Sequence, residues 1–434
     1  MLICLGICLC SPALAAQRLL LISLDGLRPG DIEQANSRGL AVPNLRRFLS
    51  EGAYADDVHG VLPTLTYPSH TTLLTGAAPA RHGIVSNLTF DPLRKNQQGW
   101  YWYAEDIRVP TLWDAARGAN LSTANVHWPV SVGAHIDYNL PQIWRTGSTD
   151  DNKLVRALCT PNLLDTLEHD LGPYADGIDE SIEGDETRAR FAERLIQTRH
   201  PDFMTAYFTG LDHTQHQAGV DTPQAHAVLE RLDTLVGKLI QAARKSDPNT
   251  IVAVVSDHGF APLTRDVNLT KAFTDAGLVT LDKDGQISHW DASPWYSGGS
   301  AAVMLREPDN RQVQAKVRNL LTRLAADNNG IATIFSREDI AQRHGNPLAE
   351  FYVEFKPGFQ MATDPKGPAV SPSKLRGMHG YDADLPEMRS TFLIIGPGIP
   401  KAHSFGHVDM LDIAPTLAKL IGVSLPQAEG KSLL

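Results

Sequence analysis

The sequence is short of cysteine. It has four, and three of them (Cys4, Cys8 and Cys10) fall inside the opening apolar run MLICLGICLCSPALAA. That run, residues 1–16, ends in small residues and reads as a secretory signal cleaved after Ala15 or Ala16, although no Lys or Arg precedes it. It is too short to span a bilayer stably. Cleavage would leave Cys159 alone, which excludes an internal disulfide. Export with almost no cysteine suits a bacterial periplasm, or more generally a periplasmic or extracellular destination.

Positive charge is scarce too. Lys and Arg total 39 against 49 Asp and Glu, a net charge of −10. Long nucleic acid and anionic membranes bind basic patches, so neither is an expected partner. No protein partner is implied. Internal repeats and low-complexity tracts are absent, and 42% hydrophobic with 20% charged residues is a globular composition. At 434 residues the chain suits a large α/β domain carrying an insertion.

What is present is a series of short apolar runs: RLLLISLDGL (18–27), LSTANVHWP (121–129), MTAYFTGLDHTQH (204–216), TIVAVVSDHGF (250–260) and STFLIIGPGIP (390–400). Continuous rather than alternating apolar runs predict strands covered on both faces. Helical patterns separate them at 43–53, 226–245 and 409–422. The expected fold is α/β, a doubly wound and mostly parallel sheet flanked by helices. Residues 270–360 read instead as strand, helix, strand and strand, an inserted α+β lid. It would divide the core into 17–269 and 361–434.

Six residues stand out by chemistry: Asp25, Asp212, His216, Asp257, His258 and His379. Asp212 and His216 are four apart in DHTQH, so a helical turn would put both on one face. Asp257 and His258 adjoin in SDHG, and His379 lies between glycines in GMHGYD. An Asp after a strand is most often a cap or turn residue. Three such acids at strand ends with three histidines point to metal instead, and this donor mixture suits zinc. His213 offers a rival pairing with His216 but should face away from Asp212. Ligands of a doubly wound sheet bind at the strands' C-terminal edge, where these acids fall.

The pieces LISLDGLRP, LPTLTYPSHTTLLTG, RHGIVSN, GLDHTQHQAG, VVSDHGF, MHGYD and FLIIGPG, in this order, resemble the nucleotide pyrophosphatase/phosphodiesterase family of the alkaline phosphatase superfamily. The resemblance spans nearly the whole mature chain. It implies an alkaline-phosphatase-like fold and two zinc ions, one held by Asp212, His216 and His379, the other by Asp25, Asp257, His258 and a nucleophilic Thr66. It implies that Asn87 donates to a phosphoryl oxygen, and that Tyr67 and Trp144 flank a nucleobase or similar group. Zinc would let the Thr66 hydroxyl act as an alkoxide near neutral pH. The amides of the helix starting there would face a phosphate. Thr64 is expected to be structural, and Ser69 and Thr71 to make helix-start hydrogen bonds.

The expected reaction is hydrolysis of phosphodiester or pyrophosphate bonds in nucleotides or related small diesters, through a phospho-threonine intermediate. The segment ANVHWPVSVGAHIDYNLPQIW (124–144) has no Lys or Arg, where monoesterases resembling this chain place basic groups. It offers Trp128, Tyr138 and Trp144, and aromatic faces stack on bases. Trp128 beside a proline also fits a core position, and Arg145 follows directly. Phosphate monoesters, phosphonates and lipid head-group diesters are the other substrate classes open to the same metal set. A sulfatase would need a CxPxR or SxPxR stretch, which is missing near Thr66. A non-catalytic binding protein would be expected to have lost a ligand, and none is lost.

Overall fold

The computed structural model describes residues 17–96, 99–327 and 330–434; the expected signal segment, with Cys4, Cys8 and Cys10, lies outside them. An eight-stranded sheet runs through the molecule in the order His403–Ser404, Ala53–Tyr54, Phe392–Ile395, Ile251–Val255, Leu19–Leu24, Phe203–Phe208, Thr123–Val126 and Tyr138–Leu140. Leu19–Leu24 lies between two parallel neighbours, with Ile22 opposite both Ala206 and Val254. Phe392–Ile395 is the one strand in the sheet antiparallel to its neighbours, Ile251–Val255 and Ala53–Tyr54.

The sheet is covered on both faces, which is why its strands are continuous apolar runs. Leu20, Ile22 and Leu24 enter one core with the Pro223–Ser246 and Ile182–Arg199 helices. Leu19 and Leu21 enter the other with the Ile413–Leu420 helix. The helix Pro43–Glu51 starts on a proline, buries Leu45 and Phe48, and stops at Gly52. A side chain at Gly52 would meet the Ile394 carbonyl oxygen 2.2 Å from its Cβ, so only glycine lets the chain pass that strand.

Between Ile251–Val255 and Phe392–Ile395 the chain forms a small antiparallel hairpin, Val279–Leu281 with Ile287–Trp290, and two larger sheets. One is antiparallel, in the order Ala292–Ser297, Ser300–Leu305, Ala349–Phe355 and Ile331–Ser336, with the helix Arg311–Ala326 alongside. The other centres on Ala261–Val267, which pairs with Gly358–Met361, Val370–Pro372 and Gly377–Met378. This small sheet has a positional consequence. Ala261 follows SDHG and Met378 precedes His379, and the two are register partners. Pairing them brings His258 and His379 together across 121 positions of sequence.

A buried ion pair fixes one approach to the site. Asp185 and Arg188 are fully buried and paired on the helix Ile182–Arg199. Asp185 accepts from the amides of Thr209 and Gly210, at 3.0 and 2.8 Å, where the helix Gly210–Ala218 begins. Arg188 donates to the carbonyls of Gly177 and Asp179 and to the Thr209 hydroxyl. Breaking one member strands the other's charge in the interior. Arg188→Met should therefore destabilise the fold by about 3–5 kcal/mol. Urea unfolding checks this, and a loss under about 1 kcal/mol, the range of surface pairs, would contradict it.

Candidate functional site

The C-terminal edge of the central strands carries the site. Asp25 follows Leu19–Leu24, Asp257 and His258 follow Ile251–Val255, and the helix after Phe203–Phe208 carries Asp212 and His216. That helix does place Asp212 and His216 on one face, with Oδ2 and Nε2 3.4 Å apart. His213 points elsewhere, to Glu180 at 3.4 Å. Among the described residues two groups have the geometry to hold a metal ion: Asp25 with Asp257 and His258, and Asp212 with His258 and His379. His258 Nε2 lies 3.3 Å from Asp25 and 3.2 Å from Asp257. His379 Nε2 lies 3.7 Å from Asp212. The rings of His258 and His379 stack at 3.6 Å, and His216 is 5.2 Å from His379.

Each histidine is aimed by its backbone neighbours. Nδ1 of His379 lies 3.1 Å from the Thr64 carbonyl, Nδ1 of His216 is 3.0 Å from that of Gly377, and Nδ1 of His258 is 3.1 Å from that of Gly259. Each Nδ1–H thus donates to a carbonyl, and each Nε2 is left with a lone pair facing the acids. The His379 loop sits close against its support. Gly380 has φ +82, and a Cβ there would lie 2.1 Å from the Ser297 carbonyl oxygen. Gly299 N–H donates to the His379 carbonyl at 2.8 Å.

The electrostatics fit a bound cation. Burial raises the pKa of Asp25, Asp212 and Asp257, and the mutual repulsion of these carboxylates raises Asp25 and Asp212 further. Burial lowers His258 and His379, and brings His216 to about 4, so the imidazoles are neutral ligands. Asp25 Oδ1, Asp212 Oδ1, Asp257 Oδ2 and His258 Nε2 are buried without a hydrogen-bond partner. Unpartnered donor atoms of this kind, converging from three segments, are the expected lining of a metal site.

Thr66 opens the helix Thr66–Thr75, whose ten residues are all buried and which ends at the left-handed Gly76. Thr64 is structural, donating to the Tyr381 carbonyl at 2.7 Å. Thr71 donates back to the Tyr67 carbonyl, a helix-interior bond rather than the helix-start bond expected, and the Ser69 hydroxyl is buried without a partner. Fewer amides face a ligand than the sequence suggests. The Tyr67 N–H goes to Asn87 Oδ1 at 2.8 Å, Pro68 has none, and Ser69 N–H goes to the Leu65 carbonyl. Thr66 keeps its own. Because Asn87 accepts through Oδ1, its Nδ2 amino group is turned the other way, free to donate.

The aromatic residues divide. Trp128 is fully buried, edge-on to His70 at 4.8 Å, so it is a core residue and not a stacking surface. Tyr67 is also buried: its hydroxyl donates to Gln142 at 2.8 Å and its ring meets Trp100 edge-on at 5.3 Å. Trp144 is partly buried and packs against Trp100 at 4.9 Å. Trp100 thus stands between Tyr67 and Trp144. The Arg145 guanidinium lies over the Trp102 ring at 5.0 Å.

Sequence reasoning missed two supporting residues. Tyr207 donates its hydroxyl to Asp25. His70 lies one turn after Thr66, with Nδ1 2.8 Å from the Thr66 carbonyl and 3.6 Å from Asp257, and Nε2 2.8 Å from Ser23. The i,i+4 spacing in TYPSH was the available signal.

His82 joins the Thr66 helix to the Asn87 loop. Ile84 N–H donates to its Nδ1, so its Nε2–H donates to Thr72 Oγ1, both at 3.1 Å. Burial lowers its pKa to about 3. The unfolded chain therefore takes the proton first. The contribution to stability is complete above about pH 6.5 and is lost as pH falls towards 3. His82→Gln should flatten the decline of unfolding free energy between pH 6.5 and 4, by up to about 1.4 kcal/mol per pH unit. Urea titrations across that range measure the slope, and an unchanged slope would contradict a neutral buried His82.

The model of the type I phosphodiesterase / nucleotide pyrophosphatase family matches residues 19–382, which include every acid and histidine of the two groups, Thr66 and Asn87. Human bis(5'-adenosyl)-triphosphatase ENPP4 is 24% identical over 417 residues, covering 94% of this chain and 78% of that protein. An uncharacterized pyrophosphatase/phosphodiesterase of Schizosaccharomyces pombe is 26% identical over 396 residues, covering 87% and 70%. The solved structure of human ectonucleotide pyrophosphatase/phosphodiesterase 5 superposes with a TM-score of 0.68 at 20% identity, covering 96% of this chain and 97% of that one. An inactive threonine-to-alanine form of the murine protein, in complex with AMP, matches equally at 0.68, with the same coverage. The chain therefore belongs to the type I phosphodiesterase / nucleotide pyrophosphatase family, whose reaction is the hydrolysis of phosphodiester or pyrophosphate bonds.

Proposed function

We propose that the protein is an exported two-zinc phosphodiesterase that cleaves nucleotides or related small diesters through a phospho-Thr66 intermediate. The observation that carries this reading is the meeting of two buried ligand groups at His258, beside the helix that Thr66 opens. Asp212, His216 and His379 would hold one zinc; Asp25, Asp257, His258 and Thr66 would hold the other. Bound zinc supplies the positive charge that makes a hydroxyl acidic and offsets charge on phosphoryl oxygens.

The chain's own groups have separate tasks. Thr66 Oγ attacks phosphorus, and the bond to the leaving oxygen breaks. Water then attacks phosphorus, the bond to Thr66 breaks, and a phosphate monoester departs. Asn87 Nδ2 donates to a phosphoryl oxygen, its orientation set by the Tyr67 amide. His70 is a positioning residue that ties the Thr66 turn to Asp257. The segment 270–360 acts as a lid whose base steadies His379 through Gly299. Export rests on the apolar run at residues 1–16; among the described residues no helix is long and apolar enough to cross a membrane. Nucleotide substrates draw support from the triphosphatase named among the relatives and the AMP bound to a structural neighbour. A diester is favoured over a monoester because the cavity beside Trp100 and Trp144 is lined by no Lys or Arg.

Thr66→Ala should abolish turnover and keep most of the metal, while Asp257→Ala should lose metal as measured by elemental analysis. Full activity in the first, or unchanged metal in the second, would sink the mechanism. A paired assay sets the substrate class. The p-nitrophenyl ester of thymidine monophosphate should be hydrolysed in strong preference to p-nitrophenyl phosphate, and the reverse order would reassign the protein to monoesters.

A further inference from the structure

The diester reading leaves open which organic group the site accepts, and a cavity beside Trp100 bears on that. A cavity of about 670 Å³ opens on the far side of Trp100, lined by Trp100, Trp144, Asp179, Glu180 and the Ser148–Thr149 rim. It adjoins the metal ligands at two points. Trp100 touches Tyr67, the residue after Thr66. Glu180 faces His213, the residue after Asp212.

The walls have a definite chemistry. Two indole rings offer faces, with Trp100 and Trp144 inclined at 65° to one another. Two carboxylates close the end near the ligand helix, and no Lys or Arg lines the cavity. The nearest imidazole, His213, meets Glu180 from the helix side. A third acid of the lining, Asp151, is engaged with the main chain. It turns inward, accepting from the amides of Arg145, Thr146 and Gly147, and so orders the rim. The end that bears Glu180 is held too, since Arg188 donates to the Asp179 carbonyl at 2.8 Å. A flat base entering between Tyr67 and Trp144 would have to displace Trp100. The open volume lies beyond that ring.

We propose that this cavity is a subsite for a positively charged organic substituent of the diester, an ammonium group seated against Trp100 and Trp144 and drawn by Glu180 and Asp179. Indole faces attract ammonium groups through the ring quadrupole, and the carboxylates add a longer-range pull. The same field repels a second phosphate, so polyphosphate chains are disfavoured there. The inference rests on the phosphodiesterase reading.

Three p-nitrophenyl diesters with one leaving group separate the two claims: p-nitrophenyl phosphorylcholine, bis(p-nitrophenyl) phosphate and the p-nitrophenyl ester of thymidine monophosphate. The wild-type zinc-loaded protein should have its highest kcat/KM on the phosphorylcholine ester. Glu180→Gln should lower the ratio of kcat/KM for that ester to that for bis(p-nitrophenyl) phosphate by on the order of tenfold. Trp144→Leu should lower the same ratio without altering a carboxylate near the metal, and metal content is measured for both variants. Preference for the nucleoside ester, or ratios unmoved in both variants, would overturn the subsite and leave the phosphodiesterase reading standing. Failure of the wild type on all three esters would overturn that reading, and the subsite with it.

Discussion

The structure depends on keeping three carboxylates buried together at the end of one sheet. Burial raises the proton affinity of Asp25, Asp212 and Asp257, and neighbouring carboxylates raise that of Asp25 and Asp212 further. Left ionised without a counter-charge, such a cluster costs several kcal/mol per group. Arginine or lysine could have balanced it, yet the groups nearest these acids are neutral imidazoles. The fold is thus shaped around a charge that the chain itself does not supply, and a bound cation is the economical resolution.

Holding that arrangement explains features that look unrelated. The Ala261–Met378 pairing sets His258 beside His379. Three backbone carbonyls turn three imidazoles the same way, Nε2 inward. The Asp185–Arg188 pair anchors the start of the helix that carries Asp212 and His216 and, through Asp179, the loop that ends in Glu180. Each support is either main chain or fully buried. The three imidazoles are thereby held in one orientation, which is what preorganisation requires.

How much of this the sequence discloses follows from locality. Asp25 and Asp257 stand out because each follows an apolar strand, and Asp212 with His216 because the spacing is helical. The central sheet is legible because both of its faces are buried. The strand Ala261–Val267 is not legible in the sequence: buried and exposed residues are mixed along it, so it lacks an apolar run. Trp128 was a candidate for stacking because sequence cannot tell a buried indole from an open one. Trp100, Glu180 and Tyr207 escaped notice because their roles arise only from contacts with segments distant in sequence.

Those distant contacts also bear on specificity. Asp25, Asp257 and His258 lie on the sheet edge and Asp212 and His216 on the helix rooted in it, whereas Trp100, Trp144, Asp179 and Glu180 lie outside the central sheet and the helices that pack on it. Chemistry and selection therefore occupy different layers of the molecule. A cavity that offers indole faces and carboxylates, but no fixed cation, cannot neutralise a second phosphate; it can only stack or attract positive charge. Positive charge facing a phosphoryl group would then come from a cation held by the buried ligand groups. The substrate's remaining half is left to be chosen by the walls beside Trp100.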